Sequence, residues 1–495
     1  MKQVLTTVFL LLSFAFGIAC QKDKKDNNLL LAGLLFLAAN QIKVNTAADL
    51  TNESAENYND NNWGLITPAK LASFASNWQA NKPSHITGNL IILQTDTANR
   101  VAGGAASAYV AENPSQGVYV YALDDYTPAG LPSGGFRFNQ TRDTGLFKES
   151  VRYQANGEFV DDWLKFFGIN LSKDLVVFAV GTANGVSGGA YPAKATGAGA
   201  VQDITRGVYW LRYWGADIKH LAILNGNLHR KATAAGIPLS ASKSTPDLTR
   251  NGGFSVKQLR VDNTVLTLGL EDIYEIAKTN GNANLFGITA KQQIIDARPG
   301  TQFDGSAQGL SNDRSALVAN PANSAYITTS YASSGSPAAG STQTFVPFEA
   351  NIRSAKTFPW VDLLDDDTDG YQFKSKAAIK TIFDTTRAVY SPGTTIVSQC
   401  RTNFEAQVNG FASINILGYP TVYYDGSLVE WTALVAGHGT SSVNQVPSDF
   451  KWRTDMAGVS NIHWYNHPNH IVKPTANLSA TTTKLFIQED KAYKF

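Results

Sequence analysis

The sequence predicts an α/β protein in which two related halves each contain a parallel sheet. Short apolar runs typical of buried strands alternate with amphipathic stretches typical of helices, and this order occurs twice along the chain. Because parallel strands are joined through a helical crossover, this alternation implies sheets covered by helices on both faces. The 495 residues suffice for two or three domains, each with its own core.

The composition excludes several classes of protein. A net charge of +1, from 41 Lys and Arg against 40 Asp and Glu, offers no field that attracts nucleic acid, so we expect no nucleic-acid partner. With 11% aromatic and 16% charged residues, the chain lacks the composition of a disordered protein. Two cysteines are too few for a disulfide scaffold or a multi-cysteine zinc site. The sequence predicts neither a cofactor nor a resident metal.

Residues 1–20 are predicted to be an export signal. Lys2 precedes an apolar run over residues 4–16, and small residues then lead to Cys20. The ending resembles a lipobox, in which the mature chain starts at a lipid-modified cysteine, although Gly17 stands where Leu is usual. We expect an exported lipoprotein anchored to the cell envelope through Cys20, on the periplasmic or outer-membrane face. A plain secreted protein or an uncleaved anchor is the alternative.

Residues 21–62 are predicted to form a linker. A charged stretch at 22–26 is followed by an apolar stretch at 29–39 and an Asn-rich stretch at 40–62. As a helix rising ~1.5 Å per residue, the apolar stretch is too short to cross a hydrocarbon core of ~30 Å. We expect it to lie on the membrane surface or to pack on the body of the protein.

The first half is predicted at residues 63–245 and the second at residues 255–435. First-half strand patterns lie at 89–93, 175–180 and 220–224, and helix patterns at 159–167 and at Val208, Leu211 and Trp214. Second-half strand patterns lie before Asp296, at 395–398 and at 421–424, and helix patterns at 377–383 and at Val408, Phe411, Ala412 and Ile416. Residues 306–347, rich in Ser, Ala, Gly and Asn, are predicted to be a surface insertion.

Residues 436–495 are predicted to be a C-terminal extension. His463, His467 and His470 have spacings that would share one face of a metal-binding helix. Pro468 interrupts such a helix, so a surface loop is expected instead. Residues 483–487 are predicted to form an edge strand.

Cys400 is the candidate reactive residue. A predicted strand runs into it, a short loop follows, and a helix is expected to begin near Glu405. The helix N-terminus, the N–H groups of the loop and the charge of Arg401 are all expected to lower the thiol pKa. A buried structural cysteine is the alternative. A cysteine-based phosphatase is excluded because Ala406 stands where an Arg is needed, and the nearest base for a Cys–His protease is His438.

Three groups of motifs resemble a tandem rhodanese. Residues 400–406 (CRTNFEA) and 416–431, which contain GYPTVYYDGS and EW, resemble the end of a catalytic rhodanese domain. Residues 295–299 (IDARP) and 350–355 (ANIRSA) resemble its first strand and a later turn. In the first half, residues 175–180 and 206–236 resemble the N-terminal domain, where the cysteine position is vacant. The resemblance implies two rhodanese-like three-layer α/β/α domains, a non-catalytic one at 63–245 and a catalytic one at 255–435.

The resemblance also implies a sulfurtransferase. Cys400 would take the outer sulfur of a donor such as thiosulfate as a persulfide and pass it to cyanide or another thiophilic acceptor. The amides of residues 401–405 would hold the persulfide charge. The implied substrate-binding residues are Arg401, Thr402, Asn403, Phe404, Glu405, Arg298, Gln302 and Arg353.

Three positions depart from the family pattern. Asn403 replaces a Gly, but Asn also tolerates the left-handed backbone conformation. Glu405 replaces a basic residue or Thr, and Gln302 stands where active relatives often carry a donor-binding Arg. Arg401 and Arg353 are then expected to supply the missing charge. A surface lipoprotein that binds ligands or senses sulfur and oxidants, with little turnover, is the alternative function. Asp296 and Arg298 are expected to form a structural ion pair.

Overall fold

The computed structural model describes residues 41–95, 109–128, 137–148, 150–181, 194–303, 348–434, 447, 449–457, 459–464 and 476–495. The predicted export signal, the whole predicted insertion at 306–347, His438, His467 and His470 lie outside these residues. The chain divides into two compact units, 1–44 and 45–495, and the first contains the short strand β1 (Lys43–Val44). Within the part of the chain that is described, no helix has the length and apolar character needed to span a membrane.

The second unit contains the remaining elements. Its strands are β2 (Gly64–Ile66), β3 (Leu90–Thr95), β4 (Tyr109–Val110), β5 (Val118–Ala122), β6 (Asn139–Arg142), β7 (Ser150–Gln154), β8 (Leu175–Val180), β9 (Leu221–Asn227), β10 (Leu239–Ser240), β11 (Val261–Asp262), β12 (Thr267–Leu268), β13 (Lys291–Asp296), β14 (Phe348–Ile352), β15 (Lys356–Thr357), β16 (Thr394–Gln399), β17 (Thr421–Tyr424) and β18 (Val459–Trp464). Its α-helices are α1 (Pro68–Ser76), α2 (Trp78–Asn81), α3 (Gly157–Phe166), α4 (Lys194–Gly197), α5 (Gly199–Tyr213), α6 (Leu228–Ala235), α7 (Leu270–Lys278), α8 (Gly300–Phe303), α9 (Lys376–Thr381), α10 (Glu405–Phe411), α11 (Ser427–Ala433), α12 (Thr454–Ala457) and α13 (Leu485–Lys494). Two π-helical turns, Ile382–Thr386 and Ala412–Ile416, extend α9 and α10.

The first sheet is five-stranded, with the order β2-β9-β8-β3-β5, and all its strands are parallel. Ile91 and Leu93 of the strand β3 pack on the side of α3 and α5, whereas Leu90 and Ile92 pack on the side of α1 and α6. Successive side chains of a strand point to opposite faces, so an uninterrupted apolar run requires a cover on both. The sheet is therefore the middle of three layers.

The second sheet is also five-stranded and parallel, with the order β12-β17-β16-β13-β15. The order in which its strands occur along the chain corresponds, position by position, to that of the first sheet. Helix α10 covers one face, and α7 with α11 covers the other. The predicted α/β class with parallel sheets is confirmed.

The inner faces of the two sheets share one hydrophobic cluster. Helix α5 packs against α10, and Ile204 and Val208 of α5 belong to the same cluster as Ala406 and Val408 of α10. We call the described residues of the predicted halves, 63–245 and 255–435, the first lobe and the second lobe, and these boundaries remain predictions. The shared cluster thus places α5 of the first lobe directly against α10, the helix that follows Cys400.

The predicted linker is wrong for residues 45–62. This segment packs on the second lobe, where the backbone N–H groups of Asn52 and Ser54 donate to the carbonyls of Ile414 and Ile416 at 2.8 and 3.0 Å. These carbonyls lie in the last turn after α10, where a helix end leaves acceptors unsatisfied. The side chains of Asn52 and Ser54 also donate to the carbonyl of Asn415 in the same turn, at 3.1 and 2.9 Å.

The predicted edge strand at 483–487 is also wrong, because the segment begins the helix α13. Phe486, Asp490 and Lys494 are buried, and their spacing of four places them on one helix face. The surface loop predicted around His463 is wrong as well. His463 lies in β18, which pairs antiparallel with β14.

Candidate active site

Cys400 directly follows β16, a strand with neighbours on both sides in the second sheet. Ligands of α/β proteins bind at the carboxyl ends of such strands. Residues 401–404 form the loop, and α10 begins at Glu405 as predicted. Cys400 therefore lies at the carboxyl end of the parallel sheet, where ligand-binding residues are expected.

The loop after Cys400 depends on one left-handed residue. Asn403 has φ +59°, so the prediction that Asn serves in place of Gly at this position is confirmed. The Cys400 carbonyl accepts a hydrogen bond from the Leu428 amide at 3.3 Å. The Cys400 amide faces the hydroxyl oxygen of Ser427 at 3.5 Å. The first residues of α11 thus contact the backbone at the start of the loop.

Burial decides the acidity of the Cys400 thiol. Cys400 is 1% exposed. Its burial, followed by the charge of Glu405, raises the pKa from 9.0 to about 11, although the amides of Ala406 and Thr402 donate hydrogen bonds to the sulfur. The predicted lowering of the pKa is therefore wrong. The N–H groups act in the expected direction, but desolvation of the thiolate outweighs them.

A buried carboxylate holds the loop to the first lobe. The side-chain amide of Asn403 donates to Asp425 Oδ1 at 2.7 Å, and Arg206 Nη1 lies 3.2 Å from the same oxygen. Arg206 Nη1 also donates to the backbone carbonyl of Asn403 at 3.1 Å. Asp425 Oδ2 accepts a hydrogen bond from the backbone N–H of Gln154 at 2.6 Å. Asp425 therefore joins the lobes.

Gln302 connects two of the predicted arginines. Its side-chain oxygen accepts from Arg401 Nη2 at 2.9 Å, and its carbonyl accepts from Arg298 Nη1 at 3.3 Å. Arg298 also clasps both carboxylate oxygens of Asp296, at 2.9 and 2.6 Å, and both side chains are fully buried. The expected structural ion pair is present, and Arg401 is turned toward Gln302.

The remaining predicted residues differ in accessibility. Thr402 and Phe404 are buried in the loop, Glu405 is half-buried, and Arg353 is exposed. The Phe404 ring is surrounded by arginine side chains of the first lobe. The structure thus brings the loop residues, Gln302 and Arg298 together and leaves Arg353 facing solvent.

Sequence reasoning missed Arg206 and the pairing role of Asp425. Arg206 lies among the buried apolar residues of α5, and a charge on a buried helix signals a partner. That signal was present in the sequence. The partner was not identifiable, because Asp425 is 219 residues away along the chain.

Comparisons with known proteins give matches to solved structures alone. No family profile and no curated protein matches the sequence. An EanB variant in complex with ergothioneine is 12% identical over 73% of this chain and 66% of that chain, with a TM-score of 0.45. SseA from Escherichia coli, described as a 3-mercaptopyruvate sulfotransferase with a rhodanese fold, is 14% identical over 74% of this chain and 98% of that chain, with a TM-score of 0.38. Tum1 from Saccharomyces cerevisiae is 12% identical over 75% and 95%, with a TM-score of 0.41.

The chain spans 66% of the length of that EanB structure. At these identities and TM-scores, the matches assign no activity, substrate or partner to this chain.

Proposed function

We propose that the chain is a rhodanese-like sulfurtransferase that carries a sulfane sulfur on Cys400. The observation behind the proposal is the position of this cysteine after an inner parallel strand, with the amides of Thr402 and Ala406 hydrogen-bonded to its sulfur. Backbone N–H groups that converge on one sulfur suit a thiolate or a persulfide anion. The motif at 400–406 adds the resemblance described above.

The proposed reaction has two displacement steps. After the Cys400 thiol loses its proton to solvent, the thiolate attacks the outer sulfur of thiosulfate. A new S–S bond forms at Cys400, the S–S bond of thiosulfate breaks, and sulfite leaves with the electron pair. Cyanide then attacks the outer sulfur of the persulfide and leaves as thiocyanate, which regenerates the thiolate. No external oxidant or reductant is needed, and a thiolate acceptor reacts in the same way.

Intact-mass measurement tests this proposal. The purified protein is incubated with thiosulfate beside Cys400→Ser, and both samples are then treated with cyanide. We expect a gain of one sulfur atom that cyanide removes and that the variant lacks. No gain, with Cys400 still open to alkylation, would exclude thiosulfate as the donor, and failure with mercaptopyruvate and persulfides as well would overturn the sulfurtransferase proposal.

A second candidate is a binding or sensing protein with little turnover. It is favoured by the burial that raises the pKa of Cys400 to about 11, because a thiol of this kind reacts slowly at neutral pH. The two candidates differ in turnover. A sulfurtransferase releases many equivalents of thiocyanate per Cys400 from thiosulfate and cyanide, whereas a sensor stops at one modification.

We also propose that the protein is exported and anchored to the cell envelope through Cys20. The proposal is supported by the apolar run at 4–16 and the lipobox-like residues before Cys20. Metabolic labelling with palmitate tests it. Label in the wild-type protein and none in Cys20→Ser is expected, and equal labelling of both would contradict the proposed anchor.

A further inference from the structure

Three guanidinium groups of the first lobe surround the ring of Phe404. The Cζ atoms of Arg137, Arg206 and Arg152 lie 4.5, 4.6 and 5.4 Å from the ring centroid. Phe404 belongs to the loop that follows Cys400. A cation over an aromatic face is attracted by the negative charge of the ring face. The ring therefore acts as a platform that gathers positive charge beside the Cys400 loop.

The three arginines differ in their engagement. Arg206 is fully buried and paired with Asp425. Arg137 is paired with Asp203 at 2.7 Å, but 40% of its side chain is exposed. Burial, and then the charges of Arg137 and Arg206, lower the pKa of Arg152 to about 10, while Asp203 acts in the opposite direction. Positive charge therefore dominates around Arg152, and Arg137 is reachable from solvent.

On the other side of the loop, the two arginines, Arg401 and Arg298, are buried. Gln302 is neutral and binds Arg401, and Glu405 is negative and close enough to raise the pKa of Cys400. Arg298 is committed to Asp296. An anion that approaches Cys400 past Glu405 is repelled unless a cation compensates, and Arg137 at the Phe404 ring is a solvent-exposed cation beside this loop.

We propose that Arg137 and Arg152 form an anion-binding rim beside the Cys400 loop that selects small oxyanionic sulfur donors. The inference rests on the proposed sulfurtransferase function, since it names the class of donor for that site. The planar guanidinium fork matches a sulfonate or carboxylate group. The first lobe, which has no cysteine at the corresponding position, then contributes recognition to the chemistry of the second.

The test compares two alkylating reagents on Cys400 and does not depend on turnover. Iodoacetate is anionic and iodoacetamide is neutral, so the ratio of their rates reports the local charge. Rates are measured at alkaline pH for the wild-type protein, Arg137→Gln, Arg152→Gln and the urea-unfolded chain. We expect the folded wild-type ratio to exceed the unfolded ratio and to fall roughly threefold to tenfold in each variant, because a positive rim concentrates anions. High salt is expected to reduce the wild-type ratio.

Controls separate charge from folding. Lys257→Gln removes an exposed cation that lies 3.9 Å from the ring of Tyr493, outside the Cys400 loop, and is expected to leave the ratio unchanged. Arg137→Lys keeps the charge and is expected to retain most of the ratio while raising the KM for thiosulfate. Circular dichroism verifies that each variant is folded.

The outcomes distinguish the rim from the function it serves. An unchanged ratio in both folded Gln variants would overturn the anion-binding rim, whatever the activity. A lowered ratio in a protein that forms no persulfide with any donor would support the rim and overturn the sulfurtransferase.

Discussion

Arg206 and Asp425 form an ion pair between the two lobes, with Nη1 3.2 Å from Oδ1 and neither side chain exposed. The same guanidinium donates to the carbonyl of Asn403, which supports the left-handed turn of the Cys400 loop. The shape of the loop therefore depends on a charge that comes from the other lobe.

We expect Asp425→Ala to destabilise the protein by about 3–5 kcal/mol, because it leaves the buried Arg206 charge without its carboxylate. Urea unfolding measures the loss, and persulfide loading is expected to fall with it. Arg206→Leu combined with Asp425→Leu is expected to recover part of the stability. As a control, Glu275→Ala removes an exposed ion pair with Lys278 and is expected to cost at most about 1 kcal/mol. Equal costs for the two single variants would contradict the buried pair.

The alkylation rate of Cys400 is expected to rise steadily with pH up to about 11, because burial and then Glu405 raise the thiol pKa to that value. Glu405→Gln removes a negative charge and is expected to lower the pKa of the Cys400 thiol. At pH values below that pKa, the rate of reaction with iodoacetamide is expected to rise roughly twofold to tenfold. Glu275→Gln on α7 serves as the matched control. A slower rate in Glu405→Gln would show that Glu405 assists the thiolate.

Glu430 is expected to make stability depend on pH. Burial raises its pKa from 4.5 to about 7, and it accepts a hydrogen bond from the Tyr424 hydroxyl at 2.9 Å. The contribution of Glu430 to the free energy of unfolding is full below pH 4.5, where it is protonated in the folded and the unfolded protein. The contribution is lost as the pH rises from 4.5 to about 7, because in this range Glu430 ionises more readily in the unfolded chain.

Glu430→Gln is therefore expected to gain stability relative to the wild-type protein between mildly acidic and mildly alkaline pH, by on the order of 3 kcal/mol. Urea unfolding of both proteins at a mildly acidic and a mildly alkaline pH measures this difference in stability. A constant difference between the two proteins across this range would contradict the raised pKa.

The C-terminal helix α13 is expected to stabilise the junction of the lobes. Phe486 is 0% exposed and its ring centroid lies 4.8 Å from that of Tyr153. Phe486→Ala is expected to cost about 3–5 kcal/mol in urea unfolding, because the cavity cannot collapse in a packed core. Leu478→Ala removes an apolar side chain that is 42% exposed and is expected to change little. Similar costs would show that the helix packs weakly.

The sequence predicted the central strands closely. The predicted strands at 175–180 and 421–424 have the observed bounds Leu175–Val180 and Thr421–Tyr424. A strand covered on both faces is a continuous apolar run, and such a run is visible without any partner. The loop at Cys400 was found for a related reason, since its residues are contiguous in the chain.

Errors occurred where a segment depends on distant partners. Residues 45–62 appeared as a linker because their polar groups satisfy carbonyls of the π-helical turn Ala412–Ile416, more than 350 residues away. The predicted edge strand at 483–487 lies where α13 begins, at Leu485. Its helical face, with Phe486 and Asp490, is identified by what it packs against.

The sequence by itself determined the α/β class, the duplicated strand order and the place of Cys400 after an inner strand, because local periodicity and contiguous motifs encode these features. Tertiary structure alone decided the acidity of Cys400, the pairing of Arg206 with Asp425 and the gathering of arginines around Phe404. Desolvation and Coulomb interactions depend on which groups meet in space, and a chain of 495 residues brings together groups whose separation in sequence carries no sign of the encounter.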